Sequence, residues 1–121
     1  MTVREELVAK PVVEMADWTR AEALLLEDAK RQLAEAGLKF VKHLPNPFTF
    51  RCIVGNVEGT KWIHVVGGDV RTDAAWMDHV SLRRMSSERD WKGDAFHYCT
   101  WESLGESCVE YMGAAYDDEV L

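Results

Sequence analysis

The sequence predicts an α+β fold: an antiparallel sheet of about four strands, one long helix over about residues 20–36 and a C-terminal helix over about 101–115. Three observations carry this. Ala21, Leu25, Ala29, Leu33 and Ala36 recur at helical spacing and stop at Gly37. After Gly37 the apolar period drops to two and stays there through several short runs broken by Pro and Gly. From Thr100 the helical spacing returns, through Trp101, Leu104, Cys108, Tyr111 or Met112, and Ala115.

At the start of the chain, Thr2-Val3-Arg4-Glu5 has the spacing of a capping box, and Pro11 ends any helix there near Ala9. Thr19-Arg20-Ala21-Glu22 is a second capping box and opens the long helix. Gly37 stands where a left-handed residue closes a helix. Glu22, Glu27, Lys30, Arg31 and Glu35 form its polar face, while Leu24 and Leu26 widen the apolar stripe beyond one packing seam. The helix is therefore expected to touch something besides a sheet.

Leu38 to His43 alternates as a short strand, and Pro45-Asn46-Pro47 ends it. Phe48, Phe50, Cys52 and Val54 alternate against Thr49, Arg51 and Ile53, a half-buried strand with one apolar face. Gly55 to Gly59 is a hairpin loop into the strand Thr60 to Val66. Gly67-Gly68-Asp69 is expected to be a turn with positive φ, followed by an acidic connector and a strand from His79 to Arg83. Arg84 to Asp94 is polar and reads as a loop holding Trp91; Ala95 to Tyr98 returns briefly to extended structure. Gly105 sits inside the last helix, where close packing against the sheet is the expected reason for it.

The chain has 121 residues, enough for one domain, with 47% hydrophobic and 29% charged residues, the balance of a soluble globular protein. Its net charge of −7 disfavours attraction to phosphate backbones unless the basic residues are segregated, so nucleic acid is not expected as a partner. Cys52, Cys99 and Cys108 are odd in number and irregular in spacing, which points to a reducing cytosol rather than a disulfide framework. The acidic start, Glu5-Glu6, is unlike a signal peptide, and no apolar run reaches membrane-spanning length. A cytoplasmic protein with no membrane partner is expected.

His64, His79, His97, Cys99 and Cys108 are potential zinc ligands, but the paired-dyad spacing of zinc modules is missing, so no metal and no cofactor is expected. Asp69, Asp73, Asp78 and His79 could act as general acid and base around the glycine turn, although no nucleophile motif accompanies them. Gly67-Gly68-Asp69 lacks the spacing of a phosphate loop. Five tryptophans, Trp18, Trp62, Trp76, Trp91 and Trp101, exceed what so small a core absorbs, and tryptophan is enriched at binding hot spots. The expected contact surface is Trp91 with Arg89, Asp90, Lys92, Trp76 and Arg84.

Trp76-Met77-Asp78-His79-Val80-Ser81-Leu82, then Thr100-Trp101-Glu102-Ser103-Leu104 and the acidic end Asp117-Asp118-Glu119-Val120, resembles a family of small, functionally uncharacterised phage and prophage proteins. In that family a W-x-H-V-S strand precedes a T-W-x-x-L helix, and the similarity covers about the C-terminal half. The resemblance implies a viral context rather than a mechanism. The expected role is a small acidic protein-binding module, phage-encoded, that inhibits or redirects a host factor, and that self-associates as a homodimer. The alternative is a hydrolase or metal-dependent enzyme using His64, Asp78, His79 and His97.

Overall fold

The computed structural model describes residues 2–87, 89 and 96–117. Its elements are α1 (Val3–Ala9), α2 (Met15–Glu35), β1 (Lys39–His43), β2 (Arg51–Gly55), β3 (Trp62–Val66), a 3-10 turn (Ala74–Asp78), β4 (Val80–Met85), β5 (Phe96–Cys99), a second 3-10 turn (Trp101–Ser103) and α3 (Leu104–Asp117). The α+β class holds, with five strands rather than four. Each strand pairs antiparallel with its neighbour in sequence, in the order β1-β2-β3-β4-β5. The extra strand is the short extended run before the last helix, which pairs Val80 with Cys99 and Arg83 with Phe96.

The capping box at Thr2 is present: Thr2 Oγ1 accepts from the Glu5 N–H at 3.1 Å, and Glu5 Oε1 accepts from the Thr2 N–H at 3.2 Å. The long helix starts earlier than expected, at Met15. Asp17 Oδ2 accepts from the N–H groups of Val13 and Glu14, at 3.1 and 2.9 Å, and so satisfies donors that a helix start leaves open. Thr19 is already inside the helix, its hydroxyl donating to Met15 O at 3.1 Å. Gly37 has φ +75° and Leu38 N–H donates to Leu33 O at 2.9 Å, which closes α2 as a left-handed glycine should.

The buried residues of α2 are Trp18, Ala21, Leu25, Ala29, Gln32 and Leu33. They pack with Leu104, Cys108, Tyr111 and Met112 of α3 and with Cys52, Val54, Ile63, Val65, Val80, Leu82 and Cys99 of one sheet face. The additional neighbour foreseen for Leu24 is α1, since Leu24 lines a groove with Leu7, Ala9 and Lys10. Gly105 is needed for helix-to-helix approach rather than for the sheet: a Cβ there would lie 2.7 Å from Gln32 O of α2.

The Gly67-Gly68 stretch differs from expectation. Among the described glycines only Gly37 and Gly59 have positive φ. Gly67 and Gly68 instead make room for an indole, because added Cβ atoms would stand 3.0 Å from Trp76 Cζ3 and 2.7 Å from Trp76 Cβ. The residues between β3 and β4 are thus not a tight hairpin but a longer connector that folds Trp76 under the sheet end.

Candidate functional site: the second face of the sheet

Alternation puts the residues between the core positions on the other side of the sheet. There Leu44, Ile53 and Met85 form a small buried cluster with half-buried Val41 and Trp62, and no helix residue belongs to it. The registers arrange this face in cross-strand rows. One row runs Arg51, Val66, Ser81, Tyr98 across β2, β3, β4 and β5. The next runs Lys42, Ile53, His64, Arg83 and Phe96 across all five strands. Lys39, Gly55, Trp62 and Met85 make a third.

The middle of this face is buried and its first row is accessible. His64 is 2% exposed and Ile53 1%, whereas Tyr98 is 60% exposed. Arg51 Nε and Nη2 both lie 3.3 Å from His64 Nε2. A guanidinium has donors only, so Nε2 accepts in this contact and the imidazole there is neutral. His64 therefore orients Arg51 instead of acting as a base. The pair leaves Arg51 Nη1 with no acceptor among the described residues.

No strand carries a carboxylate. Lys39, Lys42, Arg51, Arg83 and Arg84 are on strands, while the described Asp and Glu residues are in helices and connections. The other described basic residues share the helices and connections with the acids. Arg84 pairs with Ile63 and so shares the helix side, away from Arg83.

The alternative catalytic set does not converge. His64 is on the second face; His97 is on the helix side, stacked on Tyr111 with ring centroids 5.3 Å apart. His79 is exposed and follows the 3-10 turn. Asp78 Oδ1 accepts from Arg4 Nη2 at 2.9 Å, and the same nitrogen reaches Glu102 Oε1 at 2.8 Å, so Asp78 is held in an ion-paired bridge by which Arg4 ties α1 to the 3-10 turn and to the start of the last helical segment. Asp69 is held down at about 2 by the side-chain and backbone N–H groups of Arg71, which keeps it ionised rather than proton-donating. Burial pushes the thiols of Cys52, Cys99 and Cys108 up, the opposite of what a nucleophile or ligand needs. Among the described residues no three His, Cys, Asp or Glu side chains are grouped to hold a metal.

One member of the expected binding surface, Trp76, is corrected. Trp76 is 6% exposed and meets Trp101 edge-on at 6.0 Å, so it is core and cannot anchor a partner. Trp18 and Trp101 are buried as well, so the small core absorbs more indole than its size suggested. Arg89 is exposed, its N–H donating to Ser87 Oγ at 3.3 Å, while Asp90, Trp91 and Lys92 lie outside the described residues. The row from Arg51 to Tyr98 was missed because its members come from four strands and only register unites them; the signal present in the sequence was the absence of acids from every extended run. No protein family, curated protein or solved structure matches the chain.

Proposed function

We propose that this protein acts by binding another protein through the second face of its sheet, with Tyr98 as the aromatic anchor and Arg51 beside it. The supporting observation is that the helices all pack on one face and leave an exposed tyrosine in the same row as an oriented arginine on the other. Tyrosine, tryptophan and arginine are the residues that dominate binding energy at protein interfaces. A phage-encoded inhibitor of a host factor, working in the host cytoplasm, is the role we infer from the resemblance of Trp76 to Leu82 and Thr100 to Leu104. Among the described residues no helix is long and apolar enough to cross a membrane.

We also propose a homodimer formed across β5. The β1 edge carries Lys39, Lys42 and a bulge, devices that discourage strand addition, whereas Phe96-His97-Tyr98-Cys99 at the other edge carries no formal charge and no proline. Light scattering at tens of micromolar tests this, and a monomer mass would refute it.

The binding role is tested by capture from a bacterial lysate with the wild type, Tyr98→Ala and His79→Ala. A species held by the wild type and His79→Ala but lost from a folded Tyr98→Ala is expected. Equal capture by Tyr98→Ala would remove the second face from consideration.

A further inference from the structure

The acids of the connector between β3 and β4 are not equivalent. Asp69 is paired with Arg71 Nη2 at 2.7 Å and Asp78 with Arg4 Nη2 at 2.9 Å, whereas Asp73, between them in sequence, has no basic partner among the described residues. Asp73 Oδ1 accepts from the Ala75 N–H at 3.0 Å and so caps the 3-10 turn, which leaves Oδ2 without a donor among the described residues. The same side chain stands beside a cavity of about 110 Å³. Leu7 and Val8 of α1, with Val12, Val70, Ala74 and Trp76, supply its apolar lining. We propose that this cavity is a binding site for a small aliphatic amine, taken up as its ammonium ion, with the alkyl group inside and the charge against Asp73. Its walls belong to the helix-side core, so the site is independent of the sheet-face reading above.

The apolar end limits the size of the ligand. Protein interiors are close-packed, so an apolar cavity larger than a water molecule is uncommon and lowers stability. A dry cavity of about 150 Å³ takes one benzene ring, and this smaller one suits a branched group of about four or five carbons. Leu7, Val12, Val70 and Trp76 are buried, while Val8, Thr72 and Asp73 are exposed and open the cavity to solvent on their side. The walls are held in place from two directions. Arg4 ties α1 to the 3-10 turn through Asp78, and Gly67 and Gly68 make room for the Trp76 indole. A site built in advance loses little freedom on binding.

The polar end sets the charge. The rim offers acceptors: the Asp73 carboxylate, and the Thr72 hydroxyl, whose own proton goes to Asp69 O at 2.9 Å or to Asp73 O at 3.1 Å. An ammonium brings three donors and no acceptor and so matches this rim, whereas a carboxylate would meet Asp73 as a like charge. A lysine side chain carries its charge at the far end of its apolar stem and would have to enter charge first. A small amine with a branched tip satisfies both ends at once.

Isothermal titration and saturation-transfer NMR on the full chain compare isoamylamine with isoamyl alcohol and isocaproate, which share the branched tip and differ in charge. At about pH 7 the amine is protonated, since an alkylammonium titrates near the lysine value. The expected result is saturable binding of the amine in roughly the millimolar range or tighter, binding of the alcohol about three- to fivefold weaker, and no saturable binding of isocaproate. Asp73→Asn keeps an acceptor for the Ala75 N–H and should weaken the amine about three- to fivefold while leaving the alcohol within about twofold. Ala74→Leu adds three carbons at the cavity wall and should abolish binding of both amine and alcohol; Asp73→Asn, at an exposed position, keeps the test decisive if that variant does not fold. No saturable binding of the amine, equal affinity for amine and alcohol, an amine affinity unchanged in Asp73→Asn, or binding retained in a folded Ala74→Leu would each overturn the proposal. Tighter binding of the peptide Leu-Gly-Gly than of isoamylamine would overturn it in favour of a polypeptide N-terminus.

Discussion

The indole Nε1 of Trp101 donates to Asp28 Oδ2 at 2.7 Å, joining the start of the last helical segment to the middle of α2. Gln32 reinforces the joint, donating to Asp28 Oδ2 at 3.1 Å and to Trp101 O at 2.9 Å, and Arg31 closes on the other carboxylate oxygen at 2.6 Å. Trp101 itself is 1% exposed, with Phe50 edge-on at 5.3 Å.

Trp101→Phe keeps an aromatic ring in that pocket but removes the donor. A hydrogen bond to a charged group contributes about 1.5–3 kcal/mol, so the variant should lose at least that much in urea denaturation. A loss below about 0.5 kcal/mol would mean that Arg31 and Gln32 satisfy the carboxylate without the indole.

Stability should fall in acid partly through Asp28. Burial works to raise its pKa, but hydrogen bonds from Arg31, Trp101 and Gln32 together outweigh that and leave it lowered. A carboxylate with a depressed folded value stabilises fully above its unfolded pKa, about 3.9, and loses the contribution as pH falls through the folded value. Asp28→Asn should therefore show a shallower decline in melting temperature below about pH 4 than the wild type does. Parallel declines would remove Asp28 from the acid transition.

Two glycines of α3 should respond oppositely to alanine. At Gly105 the new Cβ meets Gln32 O at 2.7 Å and Ala36 Cβ at 3.2 Å, a clash with backbone, so Gly105→Ala should destabilise by about 1–3 kcal/mol. At Gly113 nothing lies within 4 Å, and the helix gains propensity, so Gly113→Ala should stabilise by about 0.5–1 kcal/mol. Thermal denaturation of the two variants gives both signs in one experiment, and a shared sign would contradict the packing assigned here.

Leu25 and Leu33 are both fully buried on the face of α2 that meets the sheet. Leu25→Ala and Leu33→Ala should each destabilise by about 2–4 kcal/mol, the transfer and cavity costs of a closed site. Unchanged denaturation midpoints would place that helix face at the surface.

Where an element is determined by neighbours in sequence, it was legible. Thr2 and Glu5 cap α1, Gly37 closes α2, and Leu25 and Leu33 lie on the buried stripe because helical period alone puts them there. The start of α2 was not, because Glu14 and Asp17 do the capping without a Ser or Thr to mark it. The reason for Gly67 and Gly68 was also hidden: their constraint is an indole nine or eight residues further on, a tertiary fact. The row of Arg51 and Tyr98 needed three registers at once, and the loop anchor favoured by composition falls outside the described residues.

The joint between α2 and α3 has a consequence for synthesis. Asp28 and Trp101 are 73 positions apart, as are Gln32 and Gly105, while every strand pairs with its immediate successor. The meander can thus zip up locally as it leaves the ribosome, but the apolar floor beneath β3, β4 and β5 stays wet until α3 has emerged. A nascent chain halted before Trp101 holds a sheet with neither face fully lidded, the state in which a small protein is most exposed to chaperones and proteases.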